Sequence, residues 1–229
     1  MENIDYHQQK ALLDHLLGFI TPGRKSLFKK VIKNRTRHIT VVLEDIYQPH
    51  NASAVLRTCD LTGVQDVHII ETKNEYNVNP DVALGASKWL NLIKYNNDKQ
   101  NTLVAYNKLR DKGYRIIAST PHKNDQSLED ISLDGKMAIV FGTELNGLSD
   151  TAIEHADEYL KIPMVGFTES YNISVSAALI LFNLTTRLRD TEINWRLSEI
   201  EKTEILLEWA RRSIKRSDIL ESQFLGSLK

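Results

Sequence analysis

The sequence predicts an α/β fold built on a mostly parallel sheet, and three observations carry that expectation. Apolar runs of strand length, among them His38–Asp45, Val67–Ile70, Tyr114–Thr120 and Met137–Gly142, alternate with segments of helical periodicity. The runs are apolar almost throughout, the pattern of strands covered on both faces. At 229 residues, with 41% hydrophobic and 26% charged, the chain is long enough for one well-buried α/β domain with helical additions.

Taken in order, Leu12, Leu13, Leu16, Leu17 and Ile20 make one amphipathic helix. Thr21-Pro22 reads as N-cap and first residue of a second, with Leu27, Phe28, Val31 and Ile32 inward and basic residues outward. After the strand His38–Asp45, Pro49-His50-Asn51 offers Asn51 as N-cap of a helix that runs through Thr62 and closes at Gly63. Val67–Ile70 is the next strand, and Glu71–Pro80 a polar, mobile loop. Leu90–Tyr95 is a short strand and Leu103–Lys112 a helix ending at Gly113. The strands Tyr114–Thr120 and Met137–Gly142 follow, then a helix over Thr151–Ala156 and a last strand over Tyr159–Pro163. A helix from Asn172 to about Arg189 precedes a final one with Ile200, Thr203, Leu207, Ala210 and Ile214 on one face. The expected division is a basic helical extension over 1–37, a core over 38–190 and a second helical extension over 191–229.

No stretch supplies the roughly 20 apolar residues of a membrane span, and the start shows no basic region followed by an apolar one. A single cysteine, Cys59, excludes an internal disulfide, and His50, His122 and His155 lack metal-ligand spacing. A cytoplasmic protein without a metal site is expected. The formal net charge of −1 conceals local clusters. Arg24, Lys25, Lys29, Lys30, Lys33, Arg35 and Arg37 have no acid among them, and Arg211, Arg212, Lys215 and Arg216 form a second group. Such patches attract phosphate, although solvated helix faces look the same in sequence.

Three stretches carry the candidate chemistry. Pro49 to Cys59 places Arg57 six residues after Asn51, where the helix dipole disfavours a cation unless an anion meets it; pairing with Asp60 or Glu44 is the bland alternative. Val140 to Ser149 leaves a strand at Gly142, turns at Asn146-Gly147 and caps a helix with Ser149. It lacks the marks of a phosphate loop or dinucleotide fingerprint, so alone it is a plain turn. Ile162 to Leu179 runs from strand through a polar loop, with Glu169, Ser170 and Tyr171, to Asn172 as helix cap. Since ligands of α/β sheets sit at strand C-termini, this stretch reads as half of a pocket. No Gly-x-Ser-x-Gly elbow is present, and no glycine fingerprint follows the first strand.

Together and in this order, the stretches resemble the three signature motifs of the SpoU family of RNA ribose 2′-O-methyltransferases, within the SPOUT superfamily. They stand here as Asn51-Ala-Ser-Ala-Val-Leu-Arg57-Thr, Phe141-Gly-Thr-Glu144-Leu-Asn-Gly-Leu, and Ile162-Pro-Met through Ser170-Tyr-Asn172-Ile-Ser-Val-Ser-Ala. The resemblance implies a C-terminal deep trefoil knot, a rare exception to unknotted folds. It implies a homodimer, and S-adenosyl-L-methionine bound in the knot through backbone that falls by position at Ser119, Gly142, Ile162 and Tyr171. Arg57 matches the catalytic arginine; Asn51, Glu144, Ser170 and Asn172 match the supporting polar residues. About forty residues precede the core, too few for a separate RNA-binding domain, so the pattern looks like the branch that methylates guanosine 18 of tRNA. Arg24, Lys25, Lys29, Lys30, Arg211, Arg212 and Lys215 are the expected RNA contacts. A ribosomal or different tRNA ribose, and a non-catalytic knotted RNA-binding module, are the alternatives.

Overall fold

The computed structural model describes residues 4–76, 83, 85–120 and 126–226. Seven strands form one sheet: β1 (Ile39–Glu44), β2 (Asp66–Ile70), β3 (Asn91–Tyr95), β4 (Tyr114–Ser119), β5 (Gln126–Ser127), β6 (Lys136–Phe141) and β7 (Glu158–Lys161). Every pairing is parallel, in the order β3-β2-β1-β6-β4-β7-β5. The chain builds outward from β1 to β3, then crosses to β4 and later inserts β6 between β1 and β4. That reversal is where α/β sheets open a crevice at their strand ends.

The helices of the sheet region are α3 (Pro49–Thr62), α4 (Asn101–Asp111), α5 (Asp150–Glu154) and α6 (Ile173–Arg189). Every residue of β1 is buried, because its side chains alternate between two cores. Ile39, Val41 and Leu43 join the apolar faces of α3 and α6, including Val55, Leu56, Ala177 and Ile180. Val42 joins Ala105, Tyr106 and Leu109 of α4 and Ala152 of α5. Gly63 ends α3 with φ +88°, and Gly113, with φ +81°, follows α4, left-handed positions that favour glycine. The described part of the Glu71–Pro80 loop is tied down: the Asp45 carboxylate accepts the N–H groups of Thr72, Lys73 and Asn74, and Glu71 accepts that of Tyr76. Residues 77–80 lie outside the described residues.

A second compact unit gathers the chain up to Arg35 and from Arg196 onward. It contains α1 (Tyr6–Leu17), α2 (Pro22–Ile32), α7 (Glu199–Ser213) and α8 (Ser217–Gly226). Capping boxes start α1 at Asp5 with Gln8 and α7 at Ser198 with Glu201, and Thr21-Pro22 starts α2. Leu12, Leu13 and Leu16 of α1, Phe28 of α2 and Leu207, Trp209 and Ala210 of α7 are buried. Phe28 meets Trp209 edge-on at 5.4 Å.

Several details correct the sequence reading. The terminal segment is two helices, broken at Ile214–Arg216, and Ile200 faces solvent while Trp209 turns inward. Leu27 is half exposed. Arg35 is buried over the Trp209 ring, and Arg37 pairs with Asp66 at 3.0 Å, so the basic run does not lie wholly on one solvated face. No helix among the described residues is long and apolar enough to cross a membrane.

Candidate functional site

Strands β6, β4 and β7 are neighbours and parallel, so their C-terminal ends open at one edge of the sheet. A cleft of about 290 Å³ lies there, at the small end of ligand pockets. Leu148, Leu160 and Ile173 contribute apolar lining, while Ser119, Gly142, Ile162 and Tyr171, the four expected cofactor contacts, line it together with Glu144 and Ser170.

One wall is the loop after β6. Thr143 and Gly147 exchange backbone hydrogen bonds of 2.9 and 3.0 Å, and Gly147 turns the chain with φ +66°. The returning segment passes so close that a Cβ on Gly142 would stand 2.2 Å from the Gly147 carbonyl oxygen. Position 142 therefore requires glycine, for contact rather than for φ. The other wall is the loop after β7, in which Val165 and Phe167 are fully exposed.

Asn172 joins the three stretches. It caps α6, its Oδ1 accepting from the Ser174 N–H at 2.8 Å and the Ser174 hydroxyl at 2.5 Å. With Oδ1 thus occupied, Nδ2 must point the other way. It donates to the Glu144 carboxylate and to Asn51 Oδ1, the latter at 3.3 Å. Asn51 in turn donates to Gln48 Oε1 at 2.9 Å. One side chain from each stretch thus meets beside the cleft.

Asn51 is not a helix cap. Gln48 occupies that position without a side-chain cap bond, Pro49 is the first helical residue, and Asn51 lies inside the first turn, buried. Arg57 is consequently the ninth residue of α3, beyond the reach of the N-terminal dipole, and that part of the argument for an anionic partner falls. The structure does not bring Arg57 to the cleft lining or to the Asn172 cluster. Its guanidinium is exposed and makes no hydrogen bond or ion pair among the described residues, so neither Asp60 nor Glu44 occupies it.

Sequence reasoning missed two participants. Gln48 orients Asn51, and its only signal was its place just before Pro49. Glu44, buried at the end of β1, accepts from the Thr102 hydroxyl at 2.6 Å, the Ser149 hydroxyl at 2.8 Å and the Ser149 N–H at 2.9 Å. An acidic residue ending an otherwise apolar strand was the visible clue.

Among the expected RNA contacts, Arg24, Lys29, Lys30, Arg212 and Lys215 are exposed and Lys25 is half-buried. Arg211 is a correction: its guanidinium forks onto Glu221, at 2.9 and 2.5 Å, and reaches Glu208 at 2.5 Å. That charge already serves packing within the helical unit. His122 lies outside the described residues, among which no group of three His, Cys, Asp or Glu is placed to hold a metal.

The model of the SpoU rRNA methylase family matches residues 38–182, which contain all three stretches and the cleft. The chain belongs to this family. A tRNA (guanosine(18)-2′-O)-methyltransferase of Borreliella burgdorferi is 46% identical over 207 residues, covering 90% of this chain and 93% of its own. One from Thermus thermophilus is 31% identical, covering 84% and 98%. Among solved structures, the Aquifex aeolicus TrmH/SpoU tRNA modifying enzyme superposes with a TM-score of 0.75 at 26% identity, covering 85% of this chain and 98% of that one. The SpoU methyltransferase AviRb of Streptomyces viridochromogenes, solved with AdoMet, shares the fold at a TM-score of 0.55 and 18% identity, covering 71% and 62%.

Proposed function

We propose that this SpoU-family chain methylates the ribose 2′-hydroxyl of guanosine 18 in tRNA, with S-adenosyl-L-methionine as methyl donor. The observation that carries the proposal is the meeting of Asn51, Glu144 and Asn172 beside a cleft at the ends of β4, β6 and β7. The similarity to guanosine-18 methyltransferases along nearly the whole chain supports the choice of substrate. The cleft fits the donor chemically: it has an apolar floor for a base, bare backbone at Gly142, and polar and carboxylate groups on its rim. Ser119, Gly142, Ile162 and Tyr171 hold the donor; when bound, it supplies a methyl group already activated on a sulfonium.

The chain's own work is orientation and the handling of one proton. Asn172 and Asn51 fix each other's amides and hold Glu144 at the mouth of the cleft, with Ser170 on the same rim. Arginine stays protonated in proteins, so Arg57 is not a base. Standing outside this chain's own cleft, on the helix face that a second copy would cover, it would serve the cleft of that copy, anchoring the neighbouring phosphate and stabilising the developing alkoxide. The knot and a homodimer belong to this reading. Val175, Leu179 and Phe182 stand exposed in a stripe on α6, and Leu61 stands exposed one turn after Arg57 on α3, which packs against α6. A second copy covers this face. In the cytoplasm, Arg24, Lys25, Lys29, Lys30, Arg212 and Lys215 of the helical extensions contact tRNA phosphates, and the core, residues 38–190, does the chemistry. Binding therefore weakens steeply with salt.

The test is to map 2′-O-methylation in total RNA from a strain lacking the enzyme, after incubation with purified protein and donor. Methylation at guanosine 18 supports the proposal; modification only at another tRNA position or on ribosomal RNA replaces its substrate, and none at all overturns it.

A further inference from the structure

We infer that Glu44 is a positioning residue for the methyl donor: its buried carboxylate closes the loop after β6 and so sets one wall of the cleft. The inference rests on the reading that this cleft takes the donor.

The loop begins and ends at the tip of β1. Phe141, the last residue of β6, pairs in register with Leu43. Eight residues later the chain reaches Ser149, whose N–H and hydroxyl both donate to Glu44, the residue after Leu43. The segment between is a lasso tied at its far end by one carboxylate. Ser149 also caps α5, accepting from the Ala152 N–H at 3.1 Å, so the same knot of bonds fixes where that helix starts. Thr102, in the first turn of α4, supplies the third donor.

Glu44 is 3% exposed, and no cation pairs with it among the described residues. Removing a carboxylate from water is costly unless it is fully hydrogen-bonded. An apolar side chain would serve the core as well, but it could not hold Ser149. If Ser149 is released, the Thr143–Gly147 turn keeps its own two backbone bonds but loses its anchor to β1, and the wall it forms is free to shift as a unit. Displacement of a binding wall by about 1 Å is enough to cost much of the productive geometry.

The experiment titrates S-adenosyl-L-methionine calorimetrically into the full-length protein, its Glu44→Ala and Glu44→Gln variants, and Ser149→Ala. Michaelis constants for donor and tRNA and thermal midpoints are measured alongside. Glu44→Ala is expected to weaken donor binding by at least about tenfold through the lost charge-assisted bonds, with the KM for tRNA changed far less. Glu44→Gln can still accept the Ser149 N–H while both hydroxyls rotate to accept from its amide, so it should recover most of the affinity. Should Glu44→Ala fail to fold, Ser149→Ala, which deletes one hydroxyl from a part-exposed residue, is expected to weaken the donor about threefold or more. Unchanged donor affinity in these variants, or an equal rise in both Michaelis constants, overturns the inference. No uptake by the wild type would instead sink the underlying assignment of the cleft.

Discussion

The two loops that line the cleft are built in opposite ways. The one after β6 is closed on itself by the Thr143–Gly147 bonds, anchored to β1 through Glu44, and packed so tightly that Gly142 cannot carry a side chain. The one after β7, over residues 163–171, makes no hydrogen bond among the described residues and projects Val165 and Phe167 fully into solvent. Among the described residues it is fastened only where Asn172 starts α6. A preorganised wall opposite an open one suggests a division of labour. On the proposed reading the first loop would present a fixed surface to the donor, and the second would close over what binds.

The sharpest way to break this comparison is to add one methyl group to each loop. In Gly142→Ala the new Cβ would overlap backbone that cannot move independently, so stability should fall by about 3 kcal/mol, measured by denaturant unfolding, and donor uptake should vanish. Acid offers a control that leaves both loops alone. His68, buried on β2 with Nδ1 2.8 Å from the Tyr95 hydroxyl, has its pKa lowered to about 4 by burial first and by Lys112 second. The unfolded chain therefore takes up this proton before the folded one. Stability should be full above pH 6.5, fall by about 3 kcal/mol as pH drops to 4, and lose that slope in His68→Phe.

Arg57→Lys probes the chemistry beyond either wall. It keeps the charge but loses the fork, so kcat should fall about a hundredfold, some 2.7 kcal/mol, with donor affinity little changed in a titration. Near-normal turnover would refute the role assigned to the guanidinium. Asn172→Ala removes the cap of α6 and the link to Asn51 and Glu144; a loss of about 1 kcal/mol in stability is expected, with turnover lowered more than that cap alone explains. Smallest should be Gly166→Ala in the open loop. Its nearest foreign atom is 4.0 Å from the added Cβ, so stability should stay within about 0.5 kcal/mol.

Much of this arrangement was legible in the chain. The apolar runs around Val41, Ile117 and Ile139 marked buried parallel strands, and Asn172 was recognisable as a helix cap because asparagine ahead of an unbroken apolar helix has that use. What escaped notice depended on tertiary partners. Asn51 looked like a cap since nothing local reveals that α3 starts earlier, at Pro49. Arg35 and Arg211 read as surface charges because the ring of Trp209 and the carboxylate of Glu221 lie far along the chain or in a separate helix. The two-residue β5 is too short for periodicity to register. Glu44 looked incidental, as its donors come from residues 102 and 149.

Amide hydrogen exchange with and without S-adenosyl-L-methionine tests the division of labour most directly. Donor should slow exchange strongly across residues 163–171 and change it little across 142–149, which is already closed. Equal protection of both loops, or none in either, would contradict a cleft with one fixed wall and one that folds over its ligand.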